Sequence, residues 1–388
     1  MSKRVVIYQD GLLSYSETFI KQQALALKSW QPILVGHKYL RRSLDFSMLN
    51  SQLLLSTNTS LPRKIIYMVY RWLNKADPAG INTLKKLNAD LVHAHFGTSA
   101  IDIWPYAKAL NLPMLVTLHG FDISIYKEWW ESGKRGSRKR KYPQQLLLLA
   151  AEPSVHFLAV SSAIKERAIK FGIPAEKITV SYIGVNSESF TPGPTPIIER
   201  KNRILYVGRL VEKKGATYLI EAFATVKKIV PDAELVIVGK GEMEDLLRNQ
   251  VQQLNLSDVT FAGALTSDQV KEQIDNCKIF CLPSITAESG DAEGLPISIL
   301  EAQASGVFVV SSSSGGVNDN LINGETCFTF PEKDNESLAH ILADIFKHPE
   351  THLHIIENQK QLIKAKFQLK DCTVHLEKIY STYTRKTT

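Results

Sequence analysis

The sequence predicts an α/β protein built from two doubly wound parallel-sheet domains, and three observations carry that expectation. Short β-branched apolar runs alternate with helical segments along the whole chain. Strands apolar on both faces, with helical crossovers between them, form parallel sheets covered on both sides. The alternation breaks once, at 191–200, where TPGPTPIIER holds prolines at 192, 194 and 196 and reads as an extended linker. The length of 388 residues is enough for two or three domains with large cores.

Before the break, strands are expected at 4–10, 32–38, 90–96, 114–120, 155–161 and 177–182, with helices near 17–29, 62–74, 99–110, 143–151 and 162–171. After it, strands are expected at 203–209, 233–239, 259–263, 278–284, 307–312 and 327–330, with helices near 216–230, 242–254, 267–276, 296–305 and 335–347. Two last amphipathic helices, near 350–366 and 371–384, lack a third core and should pack back on the domains. The expected division is a domain at 1–190, the linker at 191–200, a domain at 201–366 and, at 367–388, a helix returning toward the first domain. In doubly wound sheets ligands bind at the carboxyl ends of the strands, so two such domains facing one another would enclose a cleft.

Hydrophobic residues make up 44% and charged residues 22%, which excludes a disordered tail protein, a collagen and a coiled coil. Four cysteines are too few for a disulfide scaffold and suit a reducing cytoplasm. The start MSKRVVIYQD does not read as a signal peptide, and no apolar run approaches the ~18 residues of a membrane span. The net charge of +7 is uneven. Residues 127–142, KEWWESGKRGSRKRKY, hold seven cations and two acids, beside Trp129, Trp130 and Tyr142. Aromatics beside Lys and Arg are the composition of a segment lying on an anionic membrane. Nucleic-acid phosphate and a solvated loop with its tryptophans turned inward are the other readings, and no nucleic-acid motif accompanies the run.

The chemical motifs gather in the second half. In VGRLVEKKG (207–215) a strand ends at Gly208, Arg209 and Lys214 follow, and a helix begins near Ala216. Two long cations and a helix N-terminus suit a diphosphate; a solvated turn is the plain alternative. In AESGDAEGLPISILEAQASG (287–306), Gly294, Leu295 and Pro296 should open a helix carrying Glu301 two turns in, with Glu293 just before it. Carboxylates there can accept hydrogen bonds from a polyol and helix-start N–H groups can bind phosphate; equally, Glu293 can serve the helix dipole and Glu301 be a buried structural acid. His93, His95 and His119 have no acid or cysteine at ligand spacing and read as cleft or core histidines rather than a metal site. Cys277 and Cys281 read as buried thiols, and Asp275 and Asp291 as cap or loop acids, Asp291 placed to order the loop before Glu293.

Together and in this order, GRLVEKKG, LVIVGKGE (235–242) and EGLPISILEAQASG resemble the donor domain of glycosyltransferase family 4, retaining enzymes of the GT-B fold. In the first half YSETFI (15–20), HAHFG (93–97), LHGFD (118–122), FLAVSSAI (157–164) and KITVSYIGVNSESFTPG (177–193) are similar to members that build bacterial surface polysaccharides. The resemblance implies an acceptor-side first domain and a donor-binding second one. It implies that Arg209 and Lys214 neutralise the donor diphosphate, that Glu301 holds the ribose, and that Glu293 contacts the transferred sugar. It places the backbone of Gly294, Leu295 and Pro296 near sugar and phosphate, Gly239 and Gly263 near the nucleoside, His119 facing the donor sugar, and Ser16 near the diphosphate and acceptor.

The expected activity is transfer of a sugar from a nucleotide-diphosphate donor to a glycan or lipid-linked acceptor, with no metal, no other cofactor and no nucleic-acid partner. The expected location is the cytoplasm, peripheral at the inner face of the membrane if 127–142 docks there. The alternatives are a non-catalytic glycan-binding scaffold of the same fold, or another enzyme of that fold such as a sugar-nucleotide epimerase or a phosphorylase. Four positions depart from the family pattern: Phe308 for a proline, Asn318 and Asp319 for a Pro-Glu pair, and Cys327 for a glycine. The first and last read as packing changes, and Asp319 as a shortened acid beside the donor.

Overall fold

The structure is a computed structural model describing residues 3–14, 17–40, 43–54, 60–312 and 319–384. Two compact units emerge, one of Met1–Ile183 with Lys370–Thr388, the other of Gly184–Leu369. The first is built on a seven-stranded parallel sheet in the order Asn50–Leu53, Trp30–Gly36, Lys3–Tyr8, Leu91–His95, Met114–Leu118, Val155–Ala159, Ile178–Val180. The second has a six-stranded parallel sheet in the order Val259–Gly263, Glu234–Val238, Arg203–Val207, Ile279–Leu282, Phe308–Ser312, Phe328–Phe330. Both sheets are doubly wound, as the alternation of apolar runs and helices requires.

The central strands are buried at every residue, as in Met114–Leu118 and Phe308–Ser312, because helices cover both faces. Helix ends follow local chemistry. Ser161 accepts from Ile164 N–H to start Ser162–Phe171, which stops at Gly172 with φ +112°. Thr266 and Gln269 close a capping box on Ser267–Asp275.

Some elements carry little periodic signal. The edge strand Asn50–Leu53 is mostly polar, and Gly11–Leu12 pairs with Lys38–Tyr39 in a two-residue ladder too short to show a period. The helix Pro78–Lys86 is short and is marked by its cap, where the Asp77 carboxylate accepts from Ala79 and Gly80 N–H beside a first-turn proline, and it buries Gly80 and Leu84.

The proline-rich stretch 191–200 is held within the second unit. Buried Arg200 donates to the carbonyls of Thr195, Ile274 and Cys277 at 3.0, 3.3 and 3.1 Å. The chain leaves and re-enters the first unit at adjacent points, where Val185 N–H donates to Phe367 O at 2.8 Å and Leu369 N–H to Val185 O at 2.9 Å. The helix Leu369–Tyr383 then completes the first unit. Glu377 Oε1 accepts from Lys28, Ser29 and Trp30 N–H at 2.8, 2.7 and 3.2 Å, and the Tyr380 ring packs edge-on against Trp30.

Candidate functional site

In each sheet the first strand lies between the second and the fourth, so the winding reverses there and leaves a crevice at the carboxyl ends. In the second unit the reversal falls between Arg203–Val207 and Ile279–Leu282. Arg209 and Lys214 follow the first of these strands and Glu293 follows the other. Residues 79 positions apart therefore meet, and Lys214 Nζ donates to Glu293 Oε2 at 3.0 Å.

A second pair lies alongside. Buried Lys213 donates from Nζ to Asp291 Oδ1 at 3.0 Å and stands 3.9 Å from Glu293 Oε1. Burial favours neutral Glu293, yet Lys214, Lys213 and Arg209 outweigh it and hold the carboxyl below the usual glutamate range. Burial pulls Lys214 down despite Glu293. Two lysines and two carboxylates thus balance. Arg209 is exposed and makes no ion pair among the described residues, so its charge is the surplus. A buried balanced cluster with one extra cation at its mouth suits an anion.

Glycines let the turns close on one another. At Gly215 φ is +67° and an added Cβ would stand 1.8 Å from Pro283 O. Gly239 has φ +141°, its Cβ would stand 1.9 Å from Gly208 O, and its N–H donates to Gly263 O at 2.7 Å. The ends of three neighbouring strands are stitched together, with Arg209 next to Gly208.

The helix carrying Glu301 corrects one expectation. It runs Ile297–Ala304 with Pro296 as its N-cap, so Gly294, Leu295 and Pro296 form a buried approach rather than its first turn. Glu301 lies little more than one turn in, and the first-turn donors are Ile297 and Ser298 N–H. Burial pushes the Glu301 carboxyl up to about 7.

In the first unit His119 closes the strand Met114–Leu118. It meets His95 Nδ1 through its Nε2 at 3.0 Å and lies against the rings of Phe19 and Phe96. His93 contacts Thr117 Oγ1 and Tyr380 OH, both at 2.6 Å. Burial pulls His93 and His119 down to about 3, so the cluster is neutral at pH 7. Asp122 Oδ2 accepts from Gly97 N–H at 2.9 Å, while its Oδ1 accepts from His119 and Gly120 N–H at 3.1 and 3.0 Å. It joins the HAHFG and LHGFD turns. Asp122 and Lys213 lie inside quoted motifs, but nothing in their spacing shows that each holds a second loop. Ser16 and Asn318 lie outside the described residues. Phe308 and Cys327 are core residues, and Asp319 faces Lys366 at 3.8 Å.

The run 127–142 is not a free aromatic anchor. Trp130 is fully buried against Tyr142, and Lys134 Nζ sits 3.8 Å over the Trp129 ring. Arg138 bonds Asp102 and the Arg71 carbonyl, and Arg140 the Glu131 carbonyl.

Two family descriptions match, "Glycosyl transferases group 1" over residues 188–362 and "Glycosyltransferase Family 4" over 51–189. The amylovoran biosynthesis glycosyltransferase AmsK of Erwinia amylovora is 33% identical over 264 residues, 66% of this chain and 61% of that relative. The chain thus spans about three fifths of that relative's length. The UDP-Gal:alpha-D-GlcNAc-diphosphoundecaprenol alpha-1,3-galactosyltransferase of Escherichia coli is 30% identical over 276 residues, 68% of this chain and 67% of its own. Among solved structures, Anabaena HepE in complex with UDP-glucose superposes with a TM-score of 0.78 at 18% identity, covering 98% of this chain and 99% of that one. This likeness gives the same GT-B fold.

Proposed function

The chain belongs to glycosyltransferase family 4, and from that premise we propose that it is a retaining glycosyltransferase. It moves a sugar from a nucleotide-diphosphate-sugar donor to a glycan or lipid-linked acceptor in surface-polysaccharide or exopolysaccharide synthesis, at the cytoplasmic face of the membrane. The observation that carries this reading is the Lys214–Glu293 pair at the sheet reversal with the surplus cation of Arg209 beside it. The relatives' printed names, polysaccharide biosynthesis in one and a diphosphoundecaprenol-linked sugar in the other, support the acceptor class.

In this reading Arg209 and Lys214 take up the charge that grows on the leaving diphosphate. Fixed cations in a site closed to water supply the largest share of such a rate gain. Lys214 would exchange Glu293 for phosphate, freeing the carboxylate for the sugar hydroxyls. Glu301 accepts from the ribose, and the turns at Gly239 and Gly263 line the nucleoside. The backbone at Gly294, Leu295 and Pro296 approaches sugar and phosphate. His119, uncharged, faces the sugar, and Ser16 lies near the diphosphate. The acceptor hydroxyl attacks from the leaving-group side: its oxygen bonds the anomeric carbon as the C–O bond to phosphate breaks, and its proton passes to the departing phosphate oxygen. Retention needs neither an enzyme nucleophile nor a metal in this scheme.

A panel of nucleotide sugars, screened by thermal shift, identifies the donor through the stabilisation a ligand confers on the native state. Transfer or donor hydrolysis is then measured for wild type, Arg209→Ala and Glu293→Ala. Each substitution is expected to lower kcat by about 10²–10³-fold. Equal, negligible turnover in all three proteins supports the scaffold reading instead.

A further inference from the structure

The helix Leu61–Trp72 is attached to the first unit inside out. Surface helices turn their apolar stripe to the core. Here the inward face carries polar anchors: Tyr67 bonds His37, and Arg71 bridges Asp10 and Asp102, the latter at 3.0 Å. The outward face is apolar. Leu61 is 71% exposed, Ile65 49%, Met68 57%, Val69 49% and Trp72 76%, at helical spacing along one side.

Charge around this face has one sign. Residues 60–75 contain Arg63, Lys64, Arg71 and Lys75 and no acid. The basic run 127–142 adjoins the end of the helix, where Arg138 Nη2 donates to Arg71 O at 3.1 Å. The segments carry +4 and +5, and with Arg71 and Arg138 set against Asp10 and Asp102 this leaves +7 around the face. The adjacent acids Asp10 and Asp102 are already neutralised by Arg71, Lys38 and Arg138.

We propose that the outward face of Leu61–Trp72 is a docking surface for an anionic lipid bilayer, its apolar side chains entering the headgroup boundary while the flanking cations meet lipid phosphates. An apolar stripe rimmed by cations is the amphipathic pattern that lies in a membrane interface, and each adjacent cation adds electrostatic attraction. A soluble protein partner would need an acidic rim of its own to match these cations, whereas an anionic bilayer supplies negative charge on every side of the stripe. Compared with the sequence-based expectation, the anchor moves from the run 127–142, where Trp130 is buried and Trp129 lies under Lys134, to a helix beside it; the basic run contributes charge alone.

The surface is independent of the sugar chemistry, so its test needs no substrate. The full chain is sedimented with phosphatidylcholine vesicles, with and without phosphatidylglycerol, at low and high salt. Wild type is expected to bind the anionic vesicles and to release as salt rises. The triple change Ile65→Ser, Val69→Ser, Trp72→Ser should weaken binding by about ten-fold or more. Arg63→Gln with Lys64→Gln should weaken it and flatten its salt dependence. All these side chains are exposed, so the thermal midpoint should hold, and Trp72→Ser alone serves if the triple change does not fold. Wild type remaining in the supernatant, or apolar variants that bind as wild type does, overturns the proposal. So does a dimer of the free chain that the same substitutions dissociate, which would assign the face to a second copy.

Discussion

At the scale of single residues, Lys213 and Lys214 divide the work of one motif. Lys214 reaches Glu293, whereas Lys213 is buried with Asp291 and fixes the loop on which Glu293 stands. Removing one partner of a buried pair strands the other, so Lys213→Met should cost about 3–5 kcal/mol in urea denaturation. Lys213→Met with Asp291→Leu should recover most of that loss. Glu301 is expected to act through its protonation. With a carboxyl at about 7 in the fold and 4.5 when unfolded, the native state holds an extra proton between those values. That stability is fully present below 4.5 and lost as pH rises through 7. Glu301→Gln should therefore stabilise the protein by about 2–3 kcal/mol at pH 8 and hardly at pH 5, read by denaturation at both pH values. Arg209, Lys214 and Glu293 could be picked out as candidates because each follows a strand end that local sequence marks, and Glu301 because it lies in the helix after the Gly-Leu-Pro approach. Asp291 as the partner of Lys213 was not, because a salt bridge across 78 positions leaves no local pattern.

Among the elements, the strand-end turns set what the sheet can hold. Gly215→Ala places a methyl on Pro283 O in a left-handed turn, and should cost at least about 2 kcal/mol and weaken nucleotide binding, read by calorimetry. The histidine strands respond to acid. His93 and His119 lie at about 3 when folded against 6.5 unfolded, so the unfolded chain takes up more protons in between. Stability of the first unit is present above 6.5 and falls as pH drops through 3. All five tryptophans belong to that unit, so their fluorescence across an acid titration reports it alone, with the loss starting below about pH 6.5. Long apolar strands were legible as runs because both their faces are buried. The polar edge strand Asn50–Leu53 was not, since an edge has fewer apolar neighbours to demand a pattern. The helix Leu61–Trp72 was expected at nearly the right place, but its period could not tell which face turns outward.

For the whole molecule, the chain's two ends share one core. Tyr380 and Leu376 sit in the hydrophobic cluster of Val5, Leu34 and Leu115. Ending the chain after Leu369 should expose that cluster, leave His93 without its tyrosine partner and unfold the first unit, while Gly184–Leu369 keeps its own sheet; tryptophan fluorescence and circular dichroism separate the two. The sequence by itself determined the α/β class, the two parallel sheets, the family and the residue types of the site. These are written in short-range periodicity and in motifs contained within one turn. Only the tertiary structure decided that Lys213 balances Asp291, that Trp130 turns inward while Trp72 of the helix Leu61–Trp72 faces out, and that the last helix completes the first unit. Such pairings follow from which strand ends lie side by side and which helix faces find room against them, and packing of distant segments sets both.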